Sequence, residues 1–293
     1  MSFFLALLAD GILAGAMYAL IALAFVLVYQ ASAMINFALG EWMMFGVLLC
    51  GLGANLLHLG TAGALVFAGL GVAAAAAGFC ALVVRRLINR PALSAIMATL
   101  GLGMLMRGGA NFLPAETPAF LRSVAGETIA VAGLALSPDK VAAGGVAALS
   151  VAAVALFYRF SRTGVAVRAM ADDPQVAASM GIDLARHLLF VWALAGLVSL
   201  VAGVLWVFVN GGGFGVALVG LKVFPIVILG GLNSIPGTFV AAVAVGVLES
   251  LASGYLDGQL GSGFGSLAPY VALLAMLFVR PYGLFGSPRV ERI

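Results

Sequence analysis

The chain has 293 residues, of which 64% are hydrophobic and only 9% charged, with a formal net charge of +3. Its mean hydropathy of +1.20 excludes a soluble globular domain. Several runs of about 18 or more apolar residues settle the class as an all-α polytopic membrane protein. An outer-membrane barrel would alternate polar and apolar residues in segments of about ten, and no stretch here does. The positive charge sits at the ends of apolar runs, where topology requires it, so it is no sign of a nucleic-acid partner. Cys50 and Cys80 lie inside apolar runs and read as small core residues, with no disulfide or metal implied.

The first span is expected over about Phe4 to Tyr29, with Gly11 and Gly15 as a small-xxx-small helix contact. The opening MSFFLALLADGILAGAMYAL lacks the basic start of a signal peptide and reads as part of the mature first span. Asn36, Gly40 and Glu41 then interrupt an apolar stretch, which points to a broken or re-entrant helix lining a cavity. A second span continues to about Leu57 and a third covers about Ala62 to Val84. Arg85, Arg86 and Arg90 mark the next loop as cytoplasmic. The fourth span, about Leu93 to Leu113, contains Gly101, Gly103, Gly108 and Gly109 and is expected to be kinked or irregular. The loop 114–140 carries Glu116, Arg122, Glu127, Asp139 and Lys140 without a basic excess, which fits the outside, and its alternating ETIAVAGLAL could form a small hairpin.

The fifth span, about Val141 to Phe157, leads into the polar segment 159–187. Arg159, Arg162, Arg168 and Arg186 place this segment in the cytoplasm. It reads as two short helices. The first covers about Gly164 to Ala171. The second has Asp172 or Asp173 as N-cap, Pro174 at its first position and Gly181 as its stop, with Ala177, Ala178 and Met180 as its apolar side. Held between two spans, such a helix can pass force to a soluble partner; a solvated connecting loop has the same signature.

The sixth span is expected over about Leu188 to Val209, followed by a flexible NGGGFG turn. A short apolar segment, about Val216 to Leu232, contains Lys222 and Pro225 and either crosses or is re-entrant. The eighth span covers about Thr238 to Ala252, a glycine-rich outer loop GYLDGQLGSGFGS follows, and the ninth span is about Leu267 to Val279. Eight or nine transmembrane or half-membrane helices result. An outside N-terminus and a cytoplasmic C-terminus put the arginines of all three basic groups, including Arg280, Arg289 and Arg292, inside.

No G-x-x-x-x-G-K-[ST] is present; Gly215, Gly220, Leu221 and Lys222 are a near miss without the phosphate-cradling geometry. The chain therefore does not itself bind ATP. Ser137 and Lys140 match S-x-x-K by chance, in a loop without partner motifs. His58 and His187 lie near helix ends as interfacial residues. Glu41, Lys222 and Glu249 form no recognisable catalytic set, and no cofactor is implied.

Three blocks carry a resemblance. GAMYALIALAFVLVYQASAMINFALGEWMMFG (Gly15 to Gly46) is similar to the opening signature of the branched-chain amino acid type of ABC-importer permease, the H subunit of the Liv-type system. RTGVAVRAMADDPQVAASMGID (Arg162 to Asp183) resembles that family's cytoplasmic segment, and GLKVFPIVILGGLNSIPGTFVAAVAVGVLES (Gly220 to Ser250) its Gly-Leu-Lys-x-Phe block. The blocks lie in the family's order and span most of the chain. The resemblance implies one permease domain over 1–293. It also implies an inner-membrane assembly with a second related permease, two cytoplasmic ATP-binding subunits and a periplasmic substrate-binding protein. Members of the wider family are associated with branched-chain amino acids, urea, short amides and aromatic acids. The short Leu57 to Gly63 connection and the alanine-rich spans depart from the pattern.

Two sets of residues follow. Asp172, Asp173, Pro174, Ala177, Ala178, Met180 and Gly181 are candidates for coupling to an ATPase. Asn36, Phe37, Gly40, Glu41, Lys222, Phe224 and Glu249 are candidates for a translocation path, because ionisable residues within spans mark function or structural pairing. Lys222 needs a carboxylate, and Glu249 is the nearer in sequence. The competing class is an ion-coupled secondary transporter or channel, which usually carries more intramembrane carboxylates; a membrane-integral enzyme lacks its catalytic set.

Overall fold

The computed structural model describes residues 2–88, 90–113, 118–121, 129–131, 134–212, 215–261, 263–280 and 283–285. The expectations for Glu116, Arg122, Glu127, Arg289 and Arg292 lie outside them. In chain order the helices are α1 (Ser2–Ser32), α2 (Leu39–Gly51), α3 (Thr61–Phe79), α4 (Arg85–Leu87), α5 (Ala92–Ala110) and α6 (Pro138–Phe160). Then come α7 (Arg162–Asp172), α8 (Pro174–Ser179), α9 (Leu184–Asn210), α10 (Gly215–Gly230), α11 (Ile235–Leu260) and α12 (Phe264–Val279). Leu52–Leu56 and Cys80–Val84 extend α2 and α3 as π-helical turns. Seven helical stretches are long and apolar enough to span a bilayer, and α10 and α12 are shorter apolar helices. The protein is thus the all-α polytopic type that the composition dictates.

The centre of the bundle is α1. Every residue from Ala16 to Val28 is buried, as a helix apolar on all sides must be. Its most apolar window is 83% buried, against 22% for α3, 17% for α5 and 28% for α6; those three therefore form the rim. The glycine pair expected on α1 meets α11. A side chain on Gly11 would come 2.6 Å from Val247 Cα, and one on Gly15 2.6 Å from Val243 Cα, so close backbone approach is what the pair provides.

Two elements differ from the sequence reading, and a third is left open by it. The glycines of α5 do not interrupt it: α-helix continues from Ala92 to Ala110. The stretch from Gly254 to Leu260 is the last part of α11 and not an outer loop. Asp257 explains this, since it accepts from Ser253 Oγ (2.7 Å) and from the Gly265 amide (2.9 Å), tying the end of α11 to the start of α12. The short segment with Pro225 is one unbroken helix, α10, and does not turn back on itself. Its 16 residues reach about 24 Å, short of a hydrocarbon core of roughly 30 Å.

The alternating loop stretch does form a hairpin, Ile129–Val131 (β1) antiparallel to Leu134–Leu136 (β2), with Ile129 opposite Leu136. At the other end of the bundle Gly231 (φ 96°) turns the chain out of α10. Ser234 then caps α11 by accepting from the Gly237 amide at 3.0 Å.

Candidate functional site

The polar unit α7–α8 is built from local signals. Ser161 starts α7 by accepting from the Gly164 amide at 2.9 Å. Arg168 reaches back along α7 and donates to the Tyr158 carbonyl and, at 3.2 Å, to that of Arg159. Its guanidinium also lies over the Tyr158 ring. A cation on the last carbonyls of α6 is favourable by charge and by hydrogen bonding, so α7 is fastened to the end of the α6 span.

Of the two aspartates, Asp173 is the cap of α8. Its carboxylate accepts from the Gln175 (2.8 Å) and Val176 (3.0 Å) amides, while Asp172 is the last residue of α7. Pro174 takes the first helical turn. Gly181 (φ 85°) ends the helix in a Schellman motif: its amide donates to Ala178 at 3.0 Å and that of Ile182 to Ala177 at 3.1 Å. Of the apolar side read from sequence, Ala178 and Met180 are exposed and Ala177 is not. Ala177 is 2% exposed, turned into the protein. Val176 and Met180, four residues apart and hence on one face, are exposed, as is Ala178.

The second constellation lies at the break between α1 and α2, where α2 meets α10. α1 ends at Ser32 and α2 begins at Leu39, with Ala33 at positive φ (52°). Inside the break Asn36 Oδ1 accepts from the Ala38 amide at 3.0 Å, and the Phe37 amide donates to Thr99 Oγ1 of α5 at 3.3 Å. The ring of Phe37 stacks on Phe224 of α10 at 4.6 Å, and Phe224 packs edge-on to Phe25 at 5.5 Å. Gly40 and Gly220 let the backbones of α2 and α10 touch: a Cβ on Gly40 would overlap the Ala217 carbonyl. Asn36, Phe37, Gly40 and Phe224 are therefore neighbours.

The ionisable residues divide into two places. Glu41 is buried and turns to α5, where it pairs with Arg107 at 2.5 Å. Lys222 turns the other way and pairs with Glu249 of α11 at 2.5 Å, the partner expected from sequence. Tyr18 Oη donates to Glu249 Oε2 at 2.7 Å, and its ring stacks on Trp206 of α9. A third pair, Lys140 to Asp10 at 2.5 Å, is braced by Ser250, which donates to Asp10 at 3.2 Å. The Lys222–Glu249 and Lys140–Asp10 pairs line one cavity of about 280 Å³ between α1, α6, α9, α10, α11 and α12.

Sequence reasoning missed Arg107, Tyr18 and the Asp10–Lys140 pair. Arg107 carries the signal that singled out Glu41, a charge inside an apolar run. Asp10 stands inside the first span, but Lys140 reads as a loop residue, and the two are 130 residues apart.

A helix break packed against a short apolar helix, ion pairs lining a cavity within the bundle, and a capped polar unit between two spans fit a membrane transport protein. The family model described as the permease component of branched-chain amino acid transport systems matches residues 7–279, and the chain belongs to that family. It is 28% identical over 312 residues to the high-affinity branched-chain amino acid transport system permease protein LivH of Escherichia coli (strain K12), covering 99% of this chain and 98% of that one. The corresponding protein BraD of Pseudomonas aeruginosa is 27% identical over 310 residues, covering 98% and 97%. A probable permease LivH of Methanocaldococcus jannaschii is 35% identical over 138 residues, 45% of this chain and 42% of its own. Among solved structures, PsaBC from Streptococcus pneumoniae in complex with Fab aligns over 94% of this chain and 92% of its own, at 16% identity and a TM-score of 0.49. The protein is a multi-pass inner-membrane transport component and not an enzyme.

Proposed function

We propose that the chain is one of two permeases in an ATP-driven importer of branched-chain amino acids or related small carboxylates and amides. The whole chain, 1–293, is one permease domain, with segment 159–187 cytoplasmic, loop 114–140 periplasmic, the N-terminus outside and the C-terminus inside. Two cytoplasmic ATP-binding subunits supply the energy, and a periplasmic substrate-binding protein delivers the cargo. The path runs with the second permease along the contact of α2 and α10, past Asn36, Phe37, Gly40 and Phe224. Glu41 and the Lys222–Glu249 pair flank it.

One observation carries this reading: the α7–α8 unit. A six-residue helix is too short to hold itself together in water, yet this one is capped at both ends and fastened through Arg168 to α6. It presents Val176, Ala178 and Met180 outward, Met180 at 79% exposure, where an apolar pocket of a soluble partner can take them. Asp172, Asp173, Pro174 and Gly181 shape the unit, and Ala177 seats it on its own chain. The chain has no phosphate loop, so hydrolysis belongs to that partner. The names of the relatives, permease proteins of high-affinity branched-chain amino acid transport systems, point to the same cargo. For an ion-coupled carrier, the carboxylates Glu41 and Glu249 are each already held by a cation.

The test is Ala178→Arg, which puts a long charged side chain on the outward face without touching a buried contact. Substrate-stimulated ATP hydrolysis in the purified assembly should fall by about tenfold or more, as loss of a docking contact worth roughly 1.4 kcal/mol requires, with the permease still folded. Coupled hydrolysis at the unaltered rate would remove α8 from the ATPase interface.

A further inference from the structure

The cavity between α1 and α11 holds two ion pairs, Lys222–Glu249, which flanks the helix-break path, and Lys140–Asp10, which the path does not reach. Lys222 lies over the ring of Tyr18, which stacks on Trp206, and Lys140–Asp10 lies beside Ser250 in the lining of the same cavity. Ion pairs are a poor way merely to join helices. Apolar side chains of similar volume often do it at no loss of stability, because taking charges out of water costs several kcal/mol per ion. The pairs are also not sealed. Lys222 and Glu249 keep 22% and 17% of their side-chain surface, and Lys140 and Asp10 keep 22% and 37%. An ammonium has three donors and a carboxylate about four acceptor sites, more than one partner uses.

The size is informative. At roughly 30 Å³ per water in the liquid, about 280 Å³ holds on the order of nine heavy atoms, the scale of a leucine-sized amino acid. The charge pattern selects within that size. At each level both signs are present, so a simple anion meets Glu249 and Asp10, and a simple cation meets Lys222 and Lys140. A molecule with both signs at a short separation offers each lysine a carboxylate and each carboxylate an ammonium.

We propose that this cavity is a binding site within the single permease for a small zwitterion, the α-amino acid head group. Its carboxylate is held by Lys222 and Lys140, its ammonium by Glu249 and Asp10, and its side chain lies on Tyr18 and Trp206. The identity of the cargo as an amino acid rests on the importer reading; the site itself does not depend on ATP.

The test uses the full-length chain in lipid nanodiscs without binding protein or ATP. A cysteine is placed at Ser253, which lines the cavity, and labelled with a thiol-reactive methanethiosulfonate; Cys50 and Cys80 are buried. L-Leucine should slow labelling in a saturable way, whereas isovalerate, isopentylamine and urea should not, and a cysteine at Gly258 should be indifferent to all four. Lys222→Met with Glu249→Gln, which strands no charge, should leave the protein monodisperse and weaken leucine protection by about tenfold or more. If that variant does not assemble, Asp10→Asn with Lys140→Gln gives the same readout from the second pair. Absence of leucine protection, equal protection by isovalerate or isopentylamine, or full protection in the charge-free variants would each overturn the proposal. The importer reading stands or falls separately, on ATP-driven uptake with the binding protein. Uptake without protection leaves it intact and removes the site; protection without ATP-driven uptake does the reverse.

Discussion

At the residue scale the deciding question is which contacts hold α5 to the bundle. Its Leu93, Met97, Met104 and Leu105 are all exposed, so little apolar burial fixes it. Among the described residues two polar contacts tie it to the bundle, Thr99 with the helix break and Arg107 with Glu41. A neutral hydrogen bond between membrane helices contributes only about 0.6 kcal/mol on average, whereas stranding a buried charge costs about 3–5 kcal/mol. Removing one partner of the Arg107–Glu41 pair is therefore the more damaging change, because it strands the other charge. Arg107→Leu should lower the stability of the purified protein markedly, and Glu41→Gln on the same background should restore most of it. A double-mutant cycle by thermal unfolding in detergent checks this; additive losses would show that the two residues act independently. Thr99→Val should have a much smaller effect in the same assay.

At the element scale α8 depends on its ends. Gly181 has φ 85°, a conformation that costs an ordinary L-residue about 1–2 kcal/mol. Gly181→Ala should therefore loosen the helix without disturbing the spans. Hydrogen exchange at residues 174–181 should speed up while α6 and α9 remain unchanged; uniform exchange across the chain would show that α8 folds only with the whole. This element was legible in the sequence because its signals are local: Asp173, Pro174 and Gly181 each act within a few residues. Its face was not. Whether Ala177 or Val176 points outward depends on how α8 seats against α7 and α9, which is tertiary information. For the same reason Gly254 to Leu260 read as loop, since the link from Asp257 to Gly265 that ties it to α12 is tertiary. Gly101 and its neighbours suggested irregularity in α5, where a membrane environment that offers no alternative hydrogen-bond partner keeps the helix continuous.

At the scale of the whole molecule the hydrophobic pattern delivered the spans, and the uniformly apolar Ala16 to Val28 marked the helix that ends up in the middle. Pairings across the bundle were legible only in part. Lys222 with Glu249 could be reasoned out because the two segments are neighbours, 27 residues apart; Arg107 with Glu41 and Lys140 with Asp10 could not. On the proposed orientation the α7–α8 unit, with its four arginines, lies in the cytoplasm. A cysteine at Ser179 should then react with an impermeant thiol reagent only in inside-out vesicles, and labelling from the outer face of intact cells would invert the topology.

The central claim is that transport by this permease is driven by ATP hydrolysed elsewhere and fed by a binding protein. Accumulation of radiolabelled L-leucine in proteoliposomes tests it most directly, using the chain with its co-purified subunits and the binding protein from the same source. Accumulation is expected only when ATP is present on the α8 side and the binding protein on the other. Leucine uptake driven by a proton or sodium gradient across the membrane, with this chain alone and no ATP, would contradict the account.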